Sequence, residues 1–182
     1  MAGRAAAGPA PARLISSLLA TLLWLPAVSA ASAQTLTCLR GANVAGAEFG
    51  DTVGKLGTTH FYPTQKTLTY LAGKGMNIVR FPFKWERLQP ELYGPLDDRE
   101  LTPLLASVAM ARQMGFTVIL DPHTNARFAG KQIGSPEVPT AAFVDFWRRM
   151  SAFHAGDPQV MFELQNEPDY MDAAFWLPSV NA

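Results

Sequence analysis

The sequence predicts an α/β fold built on a parallel sheet, and two observations lead to this prediction. Apolar segments of strand length alternate with amphipathic helical segments, in the order strand, helix, strand, helix, strand, helix, strand. The strand segments are nearly continuous apolar runs, which is typical of strands buried on both faces. Because this alternation requires helical crossovers between parallel strands, it fits a doubly wound sheet and part of a (β/α) barrel equally well.

The N-terminal segment 1–33 is predicted to be a secretory signal peptide. Two arginines make its start positive, an apolar stretch spans 14–25, and a small-residue cleavage site ends at Ala33, with Ala30 as an alternative cut. The apolar stretch is shorter than the ~20 residues that a membrane span needs, which favours cleavage over an uncleaved anchor. We therefore expect a secreted protein, extracellular or periplasmic, without a membrane contact after cleavage.

The predicted mature chain, 34–182, is close to neutral. Without Arg4 and Arg13 its basic residues number 13 against 15 acidic residues, a net charge of −2. It has no run of like charges, so neither a nucleic acid nor an anionic membrane is expected as a partner. Its length suits one domain. Cys38 is the only cysteine, which excludes an intrachain disulfide.

The first half of the predicted domain contains two strands and one helix. A short strand over 35–40 leads into a glycine-rich loop that extends to Gly57. Leucines at helical spacing predict a helix over 66–74, and Gly75 is a natural stop signal. The apolar run 77–82 is predicted to be a buried strand that ends at a proline.

The next unit has the same organisation. A loop over 85–95 precedes an amphipathic helix whose apolar residues repeat at helical spacing over 101–111, with Pro103 near its first turn. The strand over 117–121 follows and is closed by Pro122.

The last unit leads to the fourth strand. A polar loop over 123–139 is predicted to be a surface connection. An apolar stripe from Phe143 to Phe153 predicts the third helix, and the fourth strand spans 160–164. No Gly-x-Gly-x-x-Gly or Gly-x-x-x-x-Gly-Lys motif follows any strand, so no nucleotide site is expected. We predict neither a cofactor nor a metal ion.

Polar residues recur where the predicted strands end. They are Asn43, Arg80, His123, Asn166 and Glu167. In a barrel the carboxyl ends of the strands form the active-site face, so these segments would converge on one cleft. Taken singly, an arginine is usually a salt-bridge partner and a histidine a hydrogen-bonded rim residue, and convergence is what makes the set informative.

Glu167 differs from an ordinary surface carboxylate because Pro168 restricts the backbone at its position. Strand alternation places Glu163 on the same face, where Arg80 is one possible partner for it, and we interpret Glu163 as structural. A structural role is also predicted for the two other histidines, His60 and His154.

Four motifs in order along the chain resemble glycoside hydrolase family 5, close to its cellulase branch. They are Gly41-Ala42-Asn43, the segment 75–90 with the sequence GMNIVRFPFKWERLQP, Asp121-Pro122-His123 and Asn166-Glu167-Pro168. The resemblance extends from about residue 37 to 182. It implies an α/β fold of the (β/α)8 TIM barrel family, here truncated to roughly the first four βα units, so that 34–182 would be the N-terminal half of the barrel.

The resemblance also implies a function. A retaining glycosidase of this branch hydrolyses internal β-1,4-glucosidic bonds in cellulose or a related β-glucan. By position, Glu167 resembles the general acid/base and Asn166 the amide that bonds the sugar 2-hydroxyl. Arg80 resembles the residue that orients the nucleophile, and His123 a sugar-binding residue. The acid/base carboxyl has to be partly protonated at working pH, through burial or a neighbouring carboxylate.

Two departures from the family pattern stand out. The usual His-Asn-Tyr is here His123-Thr124-Asn125, so an amide and an aromatic hydroxyl are missing from their places. No Glu follows Glu167, whereas the family's nucleophile belongs to the seventh strand. We therefore expect a chain truncated before the nucleophile, with two exposed sheet edges that favour self-association.

Several alternatives stay open. The chain is a catalytically inactive fragment, or a non-catalytic protein that binds glucan through exposed aromatic side chains such as Trp85, Tyr170 and Trp176. A homodimeric barrel of two halves and a β-mannanase are the further alternatives.

Overall fold

The protein is described here from a computed structural model that covers Gly3, Gly8 and residues 38–169 and 171–182. Apart from the two glycines, the predicted signal peptide lies outside the described residues, as do the first residues of the first predicted strand. In the described part of the chain, no helix is both long and apolar enough to cross a membrane.

The described residues form strands and helices in alternation. In chain order they are β1 (Gly41–Asn43), α1 (Gln65–Gly73), β2 (Ile78–Phe83), α2 (Trp85–Leu88), α3 (Asp98–Gln113), β3 (Thr117–Pro122), β4 (Arg127–Phe128), β5 (Lys131–Gln132), α4 (Thr140–Ala152), β6 (Val160–Phe162) and α5 (Ala173–Val180).

The main sheet of the described chain has four parallel strands in the order β1-β2-β3-β6. Its register places Asn43 beside Arg80 and Leu120 beside Phe162. The strands β4 and β5 form a separate antiparallel pair. The predicted parallel α/β sheet is confirmed, and because all four strands run the same way, their carboxyl ends lie at one edge of the sheet.

The long helices begin and end at residues that suit those positions. The Thr64 side chain caps the start of α1, and Gly75 follows its end with φ +72°. The Asp97 carboxylate caps α3, and Gly115 follows with φ +84°. Positive φ is the conformation that glycine adopts without a steric penalty. Since α3 begins at Asp98, Pro103 lies in its second turn, close to the predicted place near the first turn.

An aromatic cluster packs on the buried face of α4. The fully buried Trp85 ring lies 4.9 Å from Phe128, 5.1 Å from Phe146 and 5.8 Å from Phe143, measured between ring centroids. Each large apolar side chain that is fully buried contributes about 1.5–3 kcal/mol. The cluster therefore fixes α2 and the hairpin of β4 and β5 on the core.

This packing corrects the proposed set of exposed aromatic side chains. Trp85 is in the core and cannot stack on a sugar at the surface. Trp176 is half-buried against Phe143, with 5.8 Å between the ring centroids. Tyr170 lies outside the described residues. The hypothesis of a non-catalytic glucan-binding protein therefore has one exposed aromatic side chain fewer than the sequence suggested.

Two strands continue through the prolines that were expected to end or close them. β2 includes Pro82 and β3 includes Pro122. The Arg80 carbonyl accepts from Val44, so by alternation the missing N–H of Pro82 faces the side of β1, which has already ended. The missing N–H of Pro122 likewise faces the side of β6, at a level beyond Phe162, the last residue of β6. Neither proline removes a hydrogen bond that the neighbouring strand could make.

The two outer strands differ from their predicted bounds. Residues 38–40 are not a strand, because the Asn77 side chain bonds both the Arg40 N–H and the Cys38 carbonyl there. The first strand starts at Gly41 instead. The fourth strand ends at Phe162, two residues earlier than predicted.

The loop 123–139 is not a surface connection, which corrects another prediction. Ala126, Ile133 and Val138 are fully or almost fully buried, and Phe128 contacts Trp85. The polar residues around them hid this small hairpin in the sequence. Phe153, expected in the helical stripe, caps the end of α4 and is 49% exposed, while α2 and α5 were not predicted.

Candidate active site

Arg80 joins the strand ends of the described sheet. Its Nε and Nη2 donate to the two Glu163 oxygens at 2.6 and 2.8 Å, and Nη2 also donates to Asn166 Oδ1 at 2.9 Å. The same nitrogen lies 2.7 Å from Asp121 Oδ2, and Nη1 donates to Asn43 Oδ1 at 3.0 Å. One guanidinium therefore connects residues on or just after all four strands. The Arg80 side chain is 20% exposed, so this connection lies near the surface of the site.

The bidentate contact with Glu163 reinforces the positive charge that an arginine side chain already carries. The hydrogen bonds that Arg80 donates to Glu163 raise the pKa of Arg80, and partial burial opposes this only in part. The guanidinium therefore stays charged throughout the accessible pH range. The interpretation of Glu163 as a structural partner of Arg80 is consistent with this geometry.

Asp121 is the penultimate residue of β3, and its side chain is fully buried. Its Oδ2 accepts from His123 Nδ1 at 2.7 Å as well as from Arg80. Burial raises the pKa of the Asp121 carboxyl, and the His123 and Arg80 contacts oppose that rise. Its Oδ1 is buried and has no hydrogen-bond partner among the described residues. Asp121 therefore orients two side chains at a cost in desolvation.

Asn166 and the residue before it are buried just after β6. The Asn166 amide accepts from Arg80 and donates from Nδ2 to Asn125 Oδ1 at 3.2 Å. Gln165 Oε1 accepts from the Thr124 hydroxyl and the Ala126 N–H, both at 3.1 Å. These bonds attach the segment after β6 to the loop after β3.

Glu167 stands beside this network with a strained backbone. Its φ is +31°, in the left-handed region that a residue with a side chain rarely adopts. Such a conformation costs about 1–3 kcal/mol and is concentrated at functional sites. The Glu167 side chain is exposed, so burial, one of the two expected causes of its partial protonation, is absent here.

An ion pair secures the same loop from the outside. Arg127 Nη1 donates to Asp169 Oδ1 at 2.5 Å and to the Asn125 carbonyl at 3.0 Å. Asn125 Nδ2 in turn donates to Asp169 Oδ2 at 3.4 Å. The Arg127 hydrogen bond is the main cause of a lowered pKa of Asp169, which keeps that residue a carboxylate.

The predicted site residues meet at one edge of the sheet. Arg80 and Asn166 are bonded directly, and His123 joins them through Asp121. Glu167 follows Asn166 in the chain. His60 and His154 lie elsewhere: His60 is fully buried, with Nε2 3.0 Å from both Glu100 oxygens, and the ring centroid of His154 lies 6.4 Å from that of Phe162.

The sequence interpretation missed three residues of this network: Asp121, Asn125 and Gln165. For Asp121 a signal existed, since an acidic residue that ends an apolar strand before Pro-His has to be buried beside the site. Asn125 and Gln165 gave no such signal, because their contacts join segments about 40 residues apart. Among the described residues, no group of three or more His, Cys, Asp or Glu side chains could hold a metal ion.

Sequence comparison identifies relatives of this chain. A family model described as Cellulase (glycosyl hydrolase family 5) matches residues 39–182. The probable endo-β-1,4-glucanase B of Aspergillus oryzae is 37% identical over 135 residues, which cover 72% of this chain and 39% of that protein. The endo-β-1,4-glucanase A of Emericella nidulans is 37% identical over 140 residues, covering 75% and 42%.

Structural comparison gives the same answer. XacCel5A in complex with cellopentaose is 42% identical with a TM-score of 0.74, covering 77% of this chain and 45% of that one. Pseudomonas stutzeri endoglucanase Cel5A in complex with cellobiose is 36% identical, also with a TM-score of 0.74, covering 78% and 44%. The chain thus spans less than half the length of these relatives, and its sheet matches the corresponding part of their (β/α)8 barrels. It belongs to glycoside hydrolase family 5, the cellulase family.

Proposed function

We propose that this chain carries the acid/base half of a retaining endo-β-1,4-glucanase site. The observation that supports this most is the placement of Glu167. It follows an amide held by Arg80, at the carboxyl edge of a parallel sheet, on a strained backbone. In a retaining mechanism one carboxyl protonates the leaving glycosidic oxygen and a second, about 5–5.5 Å away, attacks the anomeric carbon.

Each neighbour has a distinct role in this proposal. Glu167 donates a proton to the leaving oxygen and later accepts one from water. Asn166 uses its remaining amide N–H toward the sugar 2-hydroxyl, a hydrogen bond that strengthens in the transition state. His123 Nδ1 donates to Asp121, which leaves Nε2 as an acceptor for a sugar hydroxyl. Arg80 holds the network and faces the attacking carboxylate.

The nucleophile is proposed from the family resemblance. That resemblance assigns it to the seventh strand of the barrel, whereas the part of this chain that aligns with XacCel5A covers 45% of the XacCel5A chain. The proposal for this chain is therefore restricted to the acid/base half.

The substrate is proposed to be a β-1,4-glucan, because XacCel5A was solved with cellopentaose and the two curated relatives are named as endo-β-1,4-glucanases. Faster hydrolysis of a β-mannan than of a β-glucan would favour the β-mannanase alternative instead.

A chimaeric barrel tests the role of Glu167. Residues 38–182 would replace the matching half of XacCel5A, and hydrolysis of cellopentaose would be measured. Glu167→Gln should lower kcat/KM by about 10²–10⁴, which is the usual contribution of general acid/base catalysis. An aryl cellobioside with a good leaving group should be affected far less in its first step, because that oxygen needs no proton.

The matched control is Glu137→Gln, which removes an exposed carboxylate in the same half. It should leave both reactions unchanged. Equal rates for Glu167→Gln and the unmutated chimaera would remove the catalytic role. Binding of cellopentaose by an inactive chimaera would instead support the non-catalytic alternative.

Export and self-association belong to the same proposal. We propose that 1–33 is removed on secretion, which N-terminal sequencing of the exported protein would test.

The outer strand β6 leaves Met161 46% exposed and Phe162 37% exposed, and an apolar strand edge of this kind favours pairing with another chain. Light scattering across a concentration series should then show a mass above that of a monomer.

A further inference from the structure

We propose that Asn125 is a positioning residue that fixes the orientation of the Asn166 amide and thereby the recognition of the sugar 2-position. Asn125 lies in the loop after β3, at one of the positions where the sequence departs from the family pattern. It contacts Asn166 and not the reacting atoms. The inference rests on the proposed function only for the identity of the sugar; the orientation of the amide is a property of the protein alone.

The donors and acceptors at the two ends of this chain of contacts permit one arrangement. Arg80 can only donate, so the atom of Asn166 that faces it has to be Oδ1. An Asp169 carboxylate can only accept, so Asn125 turns its Nδ2 toward it. Asn125 Oδ1 then faces Asn166 and accepts from its Nδ2 at 3.2 Å. Reversing either amide would place donor against donor or acceptor against acceptor.

The outer end of the chain of contacts is held by charge. Arg127 binds Asp169 Oδ1 at 2.5 Å and the Asn125 carbonyl at 3.0 Å. The lowered pKa of Asp169 keeps it an acceptor near neutral pH, with Arg127 as the main cause. Asp169 therefore determines the orientation of Asn125, and Asn125 passes that orientation to Asn166.

The backbone suits asparagine at this position. Asn125 has φ +51°, and asparagine is among the few residues with a side chain that occupy this region readily. The turn brings the following Ala126 N–H onto Gln165 Oε1 at 3.1 Å. The loop is thereby fixed against the residue that precedes Asn166, which keeps the two amides at bonding distance.

The result is an Asn166 amide with one N–H that has no hydrogen-bond partner among the described residues. The Asn166 Oδ1 is occupied by Arg80 and one N–H by Asn125, so the other N–H is available to a sugar hydroxyl oxygen. The 2-hydroxyl is equatorial in glucose and axial in mannose. An amide fixed at both ends distinguishes these positions better than one that can rotate.

Exchange of the Asn166 side-chain amide protons tests the orientation without a ligand. In the full chain labelled with ¹⁵N, the Asn166 pair is identified by its loss in Asn166→Asp. Asn125→Gly, which tolerates φ +51°, should speed exchange of the bonded proton about three- to tenfold, the value of one ordinary hydrogen bond. The double variant Asn125→Asp with Asp169→Asn should retain protection, because the carboxylate then accepts from the amides on both sides and the new amide oxygen still accepts from Arg127.

Thr124→Ala is the matched control, since the Thr124 hydroxyl bonds Gln165 and not Asn166. It should leave Asn166 exchange unchanged. Unchanged exchange in Asn125→Gly would overturn the proposal, and so would equal acceleration in Thr124→Ala, which would indicate general loosening of the loop. If Asn125→Gly alters the backbone spectrum, Asp169→Ala replaces it, because it removes the acceptor that orients Asn125. Faster Asn166 exchange there supports the proposal and unchanged exchange overturns it.

A binding measurement separates this inference from the proposed function. The ratio of the Kd for mannopentaose to the Kd for cellopentaose should fall about three- to tenfold in Asn125→Gly and recover in the double variant Asn125→Asp with Asp169→Asn. An unchanged ratio would overturn the assignment to the 2-position. Absence of cellopentaose binding by the wild-type chain would contradict the proposed function, while the exchange result would still decide the orientation of Asn166.

Discussion

The central strands and the outer strands of the sheet differ in length, burial and contribution to the site. β2 and β3 have six residues each, whereas β1 and β6 have three. In the register Leu120 pairs with Phe162, yet Leu120 is fully buried and Phe162 is 37% exposed. A strand with neighbours on both sides is buried on both faces, and a strand at an edge depends on what covers it.

The candidate site joins these two regions. Arg80 and Asp121 come from the central strands, and the segment after the outer strand β6 supplies Glu163, Asn166 and Glu167. The residue proposed to do chemistry thus lies on the less constrained region, and Arg80 is the contact that ties it to the centre. This comparison predicts which substitutions should be severe.

The largest effect is expected at Arg80. Arg80→Met keeps an unbranched apolar stem but leaves Asp121 buried without a cationic partner and releases Glu163. Breaking a buried ion pair from one side typically costs about 3–5 kcal/mol of unfolding free energy. Urea denaturation measures the loss, and amide exchange should show the segment after β6 opening first.

The matched control for this prediction is Arg99→Ala. Arg99 is 87% exposed and forms a local ion pair with Asp97, so its removal should not change the unfolding free energy measurably. Equal losses for Arg80→Met and Arg99→Ala would contradict the view that one guanidinium ties the outer strand to the centre.

Truncating one apolar side chain in a central strand and one in an outer strand compares the two regions without changing any charge. Leu120→Ala in β3 empties a fully buried position and should cost about 2–5 kcal/mol. Met161→Ala in β6 removes a side chain that is 46% exposed and should cost about 1 kcal/mol or less. Both positions lie on adjacent strands, so thermal or urea unfolding compares them directly. Similar costs would mean that β6 is covered in solution, for example by a second copy.

The same division explains how much of the fold the sequence could predict. Strands β2 and β3 and helices α1, α3 and α4 were predicted within a few residues, because a strand or helix buried by neighbours carries a complete apolar pattern. The outer strands were misplaced because their bounds depend on the partner strand. Residues 38–40 bond an asparagine side chain, and β6 stops once its pairing with β3 ends.

The sequence predicted that Arg80, His123, Asn166 and Glu167 lie at one edge of the sheet, but not the contacts that connect them. These residues were singled out because they lie on or just after strands whose carboxyl ends meet at the same edge of the sheet. The sequence could not give the contacts of Asn125 or the strained φ of Glu167, since both arise from the packing of distant loops.

The last prediction concerns two carboxyls whose pKa values move in opposite directions. Burial raises the pKa of Asp121 in the centre, whereas Arg127 lowers that of Asp169 after the outer strand. For Asp121 the folded state holds the proton more tightly. Its contribution to stability therefore decreases as pH rises from the unfolded value of about 3.9 through the raised pKa. For Asp169 the contribution is complete above about 3.9 and is lost as pH falls through the lowered pKa.

Unfolding free energies of Asp121→Asn and Asp169→Asn, each subtracted from the wild type across acidic pH, should separate these contributions. The wild-type advantage over Asp121→Asn should shrink as pH rises, because the wild type then has to bury a charge that asparagine lacks. The advantage over Asp169→Asn should grow with pH up to about 3.9 and then level off, and it should be the smaller effect because Asp169 is 38% exposed. If both differences changed in the same direction, the two regions would not differ in the way they stabilise charge, since burial at the centre and pairing at the edge predict opposite slopes.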